Sequence, residues 1–322
     1  MGMEIDRPTV MVTGATGFIG RALVSRLARD LRFSVRAAAR NETAEWPKAI
    51  VPVQMGDLAN TQDYGESLRG VSCLIHAAAH VHVRSPGERS HAVLFRNINA
   101  EGTQRLAEQA ADMGVRRLVF LSSIKVNGER TDPGTPFRSS DDPRPRCAYG
   151  VSKWEAEQAL ARVSQKTGLE VVVIRPPLVY GPGVKANFLR LMRLIHRGWP
   201  LPLADVHNRR SMVAIDNLLD LLIRCVDHPA AANRTFLVSD GVDLSTPELI
   251  RGLAEAMGRT PRLFGAPVSL LRGVARLSGR LEEFERLTSS LQADIHPTRE
   301  TLGWAPPVSV REGLLRVVSA SR

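Results

Sequence analysis

Tyr149 and Lys153, in the stretch YGVSK, stand four residues apart. In a helix that spacing places both side chains on one face, one turn from each other. A phenol beside an ammonium can give and take a proton, because the cation favours the phenolate. Bringing a tyrosine from its ordinary pKa of ~10 to ~7 takes ~4 kcal/mol. One unit charge at ~4 Å in an effective dielectric of ~20 supplies about that much. The Y-x-x-x-K pattern alone also describes a solvated helix pair, so its weight depends on its surroundings.

The surroundings begin near the start of the chain. VTGATGFIGRALVSRL, Val12 to Leu27, has glycines at 14, 17 and 20, directly after an apolar run and directly before an amphipathic one. In a strand–turn–helix unit the first such glycine permits the tight turn and the second lets backbone approach a pyrophosphate. The third lets the helix pack close to the strand. Phosphates then meet the free N–H groups and positive dipole end of the helix. The alternative is a tight turn with no ligand, but strand, glycines and helix occur in the order that dinucleotide binding requires.

The elements that must position these residues follow from apolar periodicity. PTVMVTG reads as a strand, FIGRALVSRLARD as a helix and FSVRAAAR as a second strand, one βαβ unit. IVPVQMGDL, VSCLIHAAA, RRLVFLSS and EVVVIRPP read as further strands, and two long amphipathic stretches end at Gly114 and Gly168. The pattern predicts an α/β fold, a Rossmann-type doubly wound parallel sheet with a smaller mixed α/β substrate domain. After Pro177 the chain becomes punctuated by proline and glycine. We place a dinucleotide-binding domain at residues 1–178, with a return strand near 235–240 joining its sheet, and a second, substrate-binding domain at 179–322.

Composition narrows the function classes. The chain has 322 residues, 43% of them apolar and 24% charged, which suits a globular protein. The start, MGMEIDRP, lacks a signal-peptide run, and no apolar stretch approaches the ~18 residues that span a bilayer. A cytoplasmic protein without a membrane span is expected. The net charge of +10 is spread along the chain without a basic tail or an aromatic-interleaved stripe, which argues against nucleic acid. Cys73, Cys147 and Cys225 have neither disulfide-framework nor zinc-ligand spacing. His80 and His82 alternate without a third ligand, so no metal is expected.

TGATGFIG resembles the cofactor turn of the extended short-chain dehydrogenase/reductase family, the NAD-dependent epimerase/dehydratase type, and the likeness extends to LGWAPPVSVREGL near the C-terminus. The resemblance implies NADP(H) or NAD(H), a nucleotide-sugar substrate and a homodimer. The cofactor contacts it implies are Gly14, Thr16, Gly17, Phe18, Ile19, Gly20, Asp57, Leu58, Ala77, Ala78, Asn99, Tyr149, Lys153 and Pro176. In the family the catalytic Ser or Thr precedes the Val of a VYG-like triplet by three residues. The triplet here is VNG, so Ser123 rather than Ser122 joins Tyr149 and Lys153 as catalytic.

Departures from the family pattern bear on the reaction. Dehydratases of the family carry Asp-Glu after the catalytic Ser/Thr, whereas Ile124 and Lys125 stand here, which argues against elimination of water. Arg40 lies twenty residues beyond Gly20, where an arginine accommodates a 2′-phosphate, and this sets NADP(H) ahead of NAD(H). A plain strand-end charge is the alternative. Asn127 replaces the tyrosine of the triplet. At the substrate end the resemblance implies contacts through His80, Ser123, Lys125, Asn187 and Arg210, with Arg209 the neighbour of lesser standing. Lys125, one of only five lysines, could orient the sugar or simply face solvent.

SSIKVNGE, NRRSMVAIDNL and FLVSDGVDLSTPEL together resemble a narrower group, bacterial O-antigen enzymes that form UDP-N-acetylquinovosamine. The expected reaction is therefore reduction of the 4-keto group of a UDP-linked 4-keto-6-deoxy-N-acetylhexosamine, to UDP-N-acetylquinovosamine or its C4 epimer. The alternative is a UDP-hexose or UDP-N-acetylhexosamine 4-epimerase that retains NAD, which needs the same Ser, Tyr and Lys. A cofactor-sensing regulator would have no use for those three residues in register.

Overall fold

The computed structural model describes residues 7–40, 45–60, 62–81, 88–132, 134–184 and 186–321, with the side chains of 88–90 and 186–187 outside the description. The strands are β1 (Thr9–Thr13), β2 (Ser34–Ala39), β3 (Ile50–Gln54), β4 (Val71–His76), β5 (Arg117–Leu121), β6 (Glu170–Arg175), β7 (Leu178–Tyr180), β8 (Met212–Ala214) and β9 (Arg234–Leu237). Seven of them form one parallel sheet in the order β3–β2–β1–β4–β5–β6–β9.

The apolar runs explain why the sheet is covered on both faces. Successive residues of a strand point to opposite sides, so Val10 and Val12 enter one core with Ile75 and Val119, while Met11 enters the other with Leu74, Leu118 and Phe120. The helices of the first half are α1 (Phe18–Leu27), α2 (Gly65–Leu68), α3 (Glu88–Phe95), α4 (Gly102–Asp112) and α5 (Ala148–Thr167). Leu23, Val24 and Leu27 of α1 share the first core with Leu218 and Leu222 of α7 (Ile215–Asp227). Leu106 and Ala110 of α4 and Ala156 and Leu160 of α5 close the second. Arg117, only 1% exposed, joins β5 to α7 through the carbonyls of Cys225 (2.8 Å) and His228 (3.0 Å) and the carboxylate of Glu170.

A third core gathers around the pair β7–β8, from Phe188, Met192 and Ile195 of α6 (Ala186–His196), Ile250 and Leu253 of α8 (Thr246–Ala256), and Leu314 and Val317 of the last helix, Val310–Ser319. The chain runs from β1 outward through β2 and β3, then returns to lay β4 on the other side of β1. That reversal opens a crevice at the carboxyl ends of β1 and β4, the usual ligand position in such a sheet. Among the described residues no helix is long and apolar enough to cross a membrane.

Candidate active site

At the end of β1 the chain turns at Gly14, whose φ is 66°, and a Cβ there would lie 2.7 Å from the Ala78 nitrogen. Only glycine fits both demands. A Cβ on Gly20 would stand 2.1 Å from the Gly14 carbonyl oxygen, so α1 can lie this close to the turn only without a side chain at 20. Gly17 caps α1 with no side-chain bond to its first turn. The first-turn N–H groups therefore keep no competing acceptor, and Thr16 and Gly17 are exposed. Phe18 and Ile19 are half-buried against the first core.

The facing wall follows β4. The Thr13 hydroxyl meets His76 Nδ1 at 2.7 Å and accepts from Ala78 N at 3.4 Å. Thr103 Oγ1 lies 2.9 Å from His76 Nε2 and donates to the Asn99 carbonyl. Thr103 thus accepts from Nε2–H, and a neutral ring lets Nδ1 accept from Thr13. Burial, assisted by the charge of Lys153, pushes the His76 pKa down to about 3, in agreement.

Asn99 lies in a π-helical turn, Arg96–Glu101, between α3 and α4, a geometry frequent at functional sites. Its side chain accepts from His80 N (2.8 Å) and donates to the His80 carbonyl (3.0 Å) and to Ser152 Oγ (3.1 Å). It ties the Ala77–His80 loop to α5, and Ser152 in turn bonds the Tyr149 carbonyl. Leu58 is buried, and its carbonyl accepts from Arg105 at 2.7 Å. Pro176, also buried, accepts from Ile124 N.

Helix α5 brings Tyr149 and Lys153 to the crevice. Lys153 is 1% exposed, with Nζ 4.1 Å from the centre of the Phe120 ring, and Phe120 stacks on His76. Tyr149 meets Phe95 edge-on, and Phe95 meets His80. The expectation of a ready phenolate needs correcting for the chain by itself. Burial disfavours the charged form of each group, so Tyr149 is pushed up to about 12 and Lys153 down to about 7.

Ser123 follows β5 and caps a short 3₁₀ turn, Ile124–Val126, accepting from Lys125 N at 3.3 Å. The structure separates it from Ser122. Ser122 Oγ donates to Glu157, which also holds Arg175 at 2.5 Å in an ion pair with both side chains about 5% exposed. Arg175 continues to the Asn127 oxygen (3.0 Å), and the Asn127 amide donates to the Arg138 carbonyl (2.8 Å). Asn127 thus finishes a buried network that fixes the Ser123 loop from below, and the hydroxyl of Ser123 stays half-buried at the crevice.

Toward the substrate end, Lys125 Nζ lies 3.5 Å from Glu129 Oε1 and 3.6 Å from Cys147 Sγ. His80 Nε2 is buried and unpartnered among the described residues. Arg210 is half-buried and donates to the Ser289 carbonyl at 2.9 Å, while Arg209 is exposed and pairs with Glu248. Burial lowers the Arg210 pKa, against the charge of Glu129. Arg40 and Asp57 form an exposed ion pair at 3.7 Å. The Asn187 side chain and His82 lie outside the described residues. Phe120 and the Glu157–Arg175 pair belong to the site's surroundings and went unremarked in the sequence, since only contacts between distant residues reveal them, as they do the threonine partners of His76.

Residues 10–239 match the NAD dependent epimerase/dehydratase family. The chain belongs to that family. A UDP-glucose 4-epimerase of Vibrio cholerae is 43% identical over 313 residues, 97% of this chain and 95% of the relative. A solved structure of MoeE5 with UDP-glucuronic acid and NAD superposes with a TM-score of 0.77 and 27% identity, covering 98% of this chain and 99% of that one. The fold is likewise shared with the UDP-glucose 4-epimerase of Thermotoga maritima, at a TM-score of 0.78 and 21% identity, covering 98% of each chain.

The Vibrio cholerae relative overturns the expected 4-keto reduction and favours the epimerase alternative. The physical reason is that a family member needs the same glycine turn and the same Ser, Tyr and Lys for either reaction. Whether reduced cofactor is taken up from outside or formed and re-oxidised in place is not written in their spacing.

Proposed function

We propose that this chain is a UDP-hexose or UDP-N-acetylhexosamine 4-epimerase working with a retained NAD. The observation that carries the reading is 43% identity to a UDP-glucose 4-epimerase along nearly the whole of both chains. The glycine turn fits the cofactor, because a Cβ at Gly14 or Gly20 would collide with backbone and the first turn of α1 has no side-chain cap. Gly14 to Gly20 would hold the pyrophosphate, Asp57 and Leu58 the adenosine end, and Ala77, Ala78, Lys153 and Pro176 the nicotinamide half. Arg40 already has Asp57 as a counter-charge, which favours NAD over a 2′-phosphorylated cofactor.

Bound NAD would supply the hydride acceptor for sugar C4 and the hydride for the opposite face of the same carbon. Tyr149 Oη takes the proton of the 4-hydroxyl and gives it back, and Ser123 Oγ donates to the same oxygen. A phenolate on Tyr149 and an ammonium on Lys153 stabilise each other, although burial disfavours each alone. Residues 179–322 would take the UDP-sugar, with Arg210 on its diphosphate, where a guanidinium fork suits phosphate oxygens.

Mass spectrometry of the nucleotide released on denaturing the purified protein tests the retained cofactor. NAD in near-stoichiometric amount is expected. Protein that purifies without a dinucleotide and stays inert until a reduced cofactor is added would contradict the reading. Arg210→Ala is expected to raise the KM for the UDP-sugar ~10-fold while kcat changes far less, since a contact remote from C4 is largely uniform binding. Steady-state kinetics with an unchanged KM would move the diphosphate site elsewhere, with Arg209 the next candidate.

A further inference from the structure

We propose that the face of the Phe120 ring holds the Lys153 ammonium charged and in place, which makes Phe120 a positioning residue for the proton transfer at Tyr149. The catalytic half of this inference rests on the epimerase reading above. Lys153 Nζ stands over the Phe120 ring, 4.1 Å from its centre, with Lys153 1% exposed and Phe120 fully buried. At such a distance, and with so little water, the negative face of an aromatic ring attracts a cation strongly. Phe120 is itself fixed. It lies in β5, whose side chains are all buried, and stacks on His76 with ring centres 5.7 Å apart and planes 19° from parallel. His76 is held in turn by Thr13 of β1 and Thr103 of α4.

The other titratable groups around the ammonium do less for it. Tyr149 and Glu157 stand one turn to either side of Lys153 on α5, His76 lies on β4 and Arg175 on β6. Glu157 favours the charged lysine, yet its carboxylate already accepts from Arg175 and Ser122. His76, buried as a neutral ring, brings no charge. Burial works against the ammonium and draws Lys153 down to about 7. A lysine that close to losing its charge responds to any further attraction. A desolvated cation–π contact moves such a midpoint by about one pH unit.

The chain has five lysines, so isotopic labelling of the lysine side chains gives few NMR signals, and Lys153→Met identifies the one of interest. The full chain as purified is titrated with Phe120 intact, replaced by para-fluorophenylalanine, and replaced by a trifluorinated phenylalanine. These keep the ring and drain its face of negative charge in steps. The Lys153 midpoint is expected to fall in that order, by about one pH unit across the series. The midpoints of the other lysines are expected to stay in place, which also reports that each chain is folded. The para-fluoro ring adds the least volume and decides alone if the trifluorinated chain does not fold. The alkaline limb of kcat/KM for 4-epimerisation is expected to move down in the same order, because a neutral lysine no longer supports the phenolate. An unchanged Lys153 midpoint would overturn the proposal, since all three rings keep the packing. A shifted midpoint with an unmoved pH–rate profile would overturn the positioning role. Wild-type protein without 4-epimerase activity would overturn the epimerase reading, while the midpoints still decide the contact.

Discussion

Tyr149→Phe is expected to slow 4-epimerisation by at least ~100-fold, the ordinary worth of a positioned proton donor and acceptor, with UDP-sugar affinity little changed. The substitution removes one oxygen from a ring that is packed edge-on against Phe95, so the surroundings keep their shape. In the chain alone that oxygen holds its proton up to about pH 12, because burial disfavours its charge. The 4-hydroxyl of the sugar would have no other base as well placed, because Ser123 is engaged as an acceptor by Lys125 N and His76 is a neutral ring tied to two threonines. Turnover and calorimetric affinity measured together decide the matter. Near-normal turnover in Tyr149→Phe would take the residue out of the role.

The second large effect concerns the support under Ser123. Glu157→Ala is expected to destabilise the fold by ~3–5 kcal/mol, the usual cost of leaving one charge of a buried pair without its partner. Arg175 would lose both of its carboxylate bonds at about 4% exposure, and Ser122 would lose its acceptor. Glu157→Gln, which keeps an oxygen for Arg175 or Ser122, should cost less. Urea unfolding of the three proteins checks this, and a loss below ~1 kcal/mol in Glu157→Ala would show that water or a rearranged loop replaces the carboxylate.

Much of the scaffold was legible because it depends on local pattern. The alternation of Val10, Met11 and Val12 needs no distant partner to declare a strand buried on both faces, and three glycines between that strand and a helix declare the turn. Ser123 was separated from Ser122 by likeness alone; in the structure Ser122 bonds Glu157, while Ser123 caps the 3₁₀ turn. The site's supports were not legible. His76 connects residues 63 and 27 positions away, and Arg175 reaches Asn127 across 48. The exposed ion pair of Arg40 with Asp57 was also out of reach, because the two residues lie on separate loops. The reaction itself was misjudged because the likeness of SSIKVNGE, NRRSMVAIDNL and FLVSDGVDLSTPEL to a reductase group was set above the Ser, Tyr and Lys that reduction and epimerisation share.

The most direct test of the epimerase account is proton NMR of UDP-glucose and UDP-N-acetylglucosamine incubated with the purified protein and no added cofactor. The account predicts that at least one of them converts to its galacto epimer, and that the reverse reaction reaches the same mixture. Both sugars remaining unchanged, with conversion of a keto-sugar only when a reduced cofactor is supplied, would contradict it.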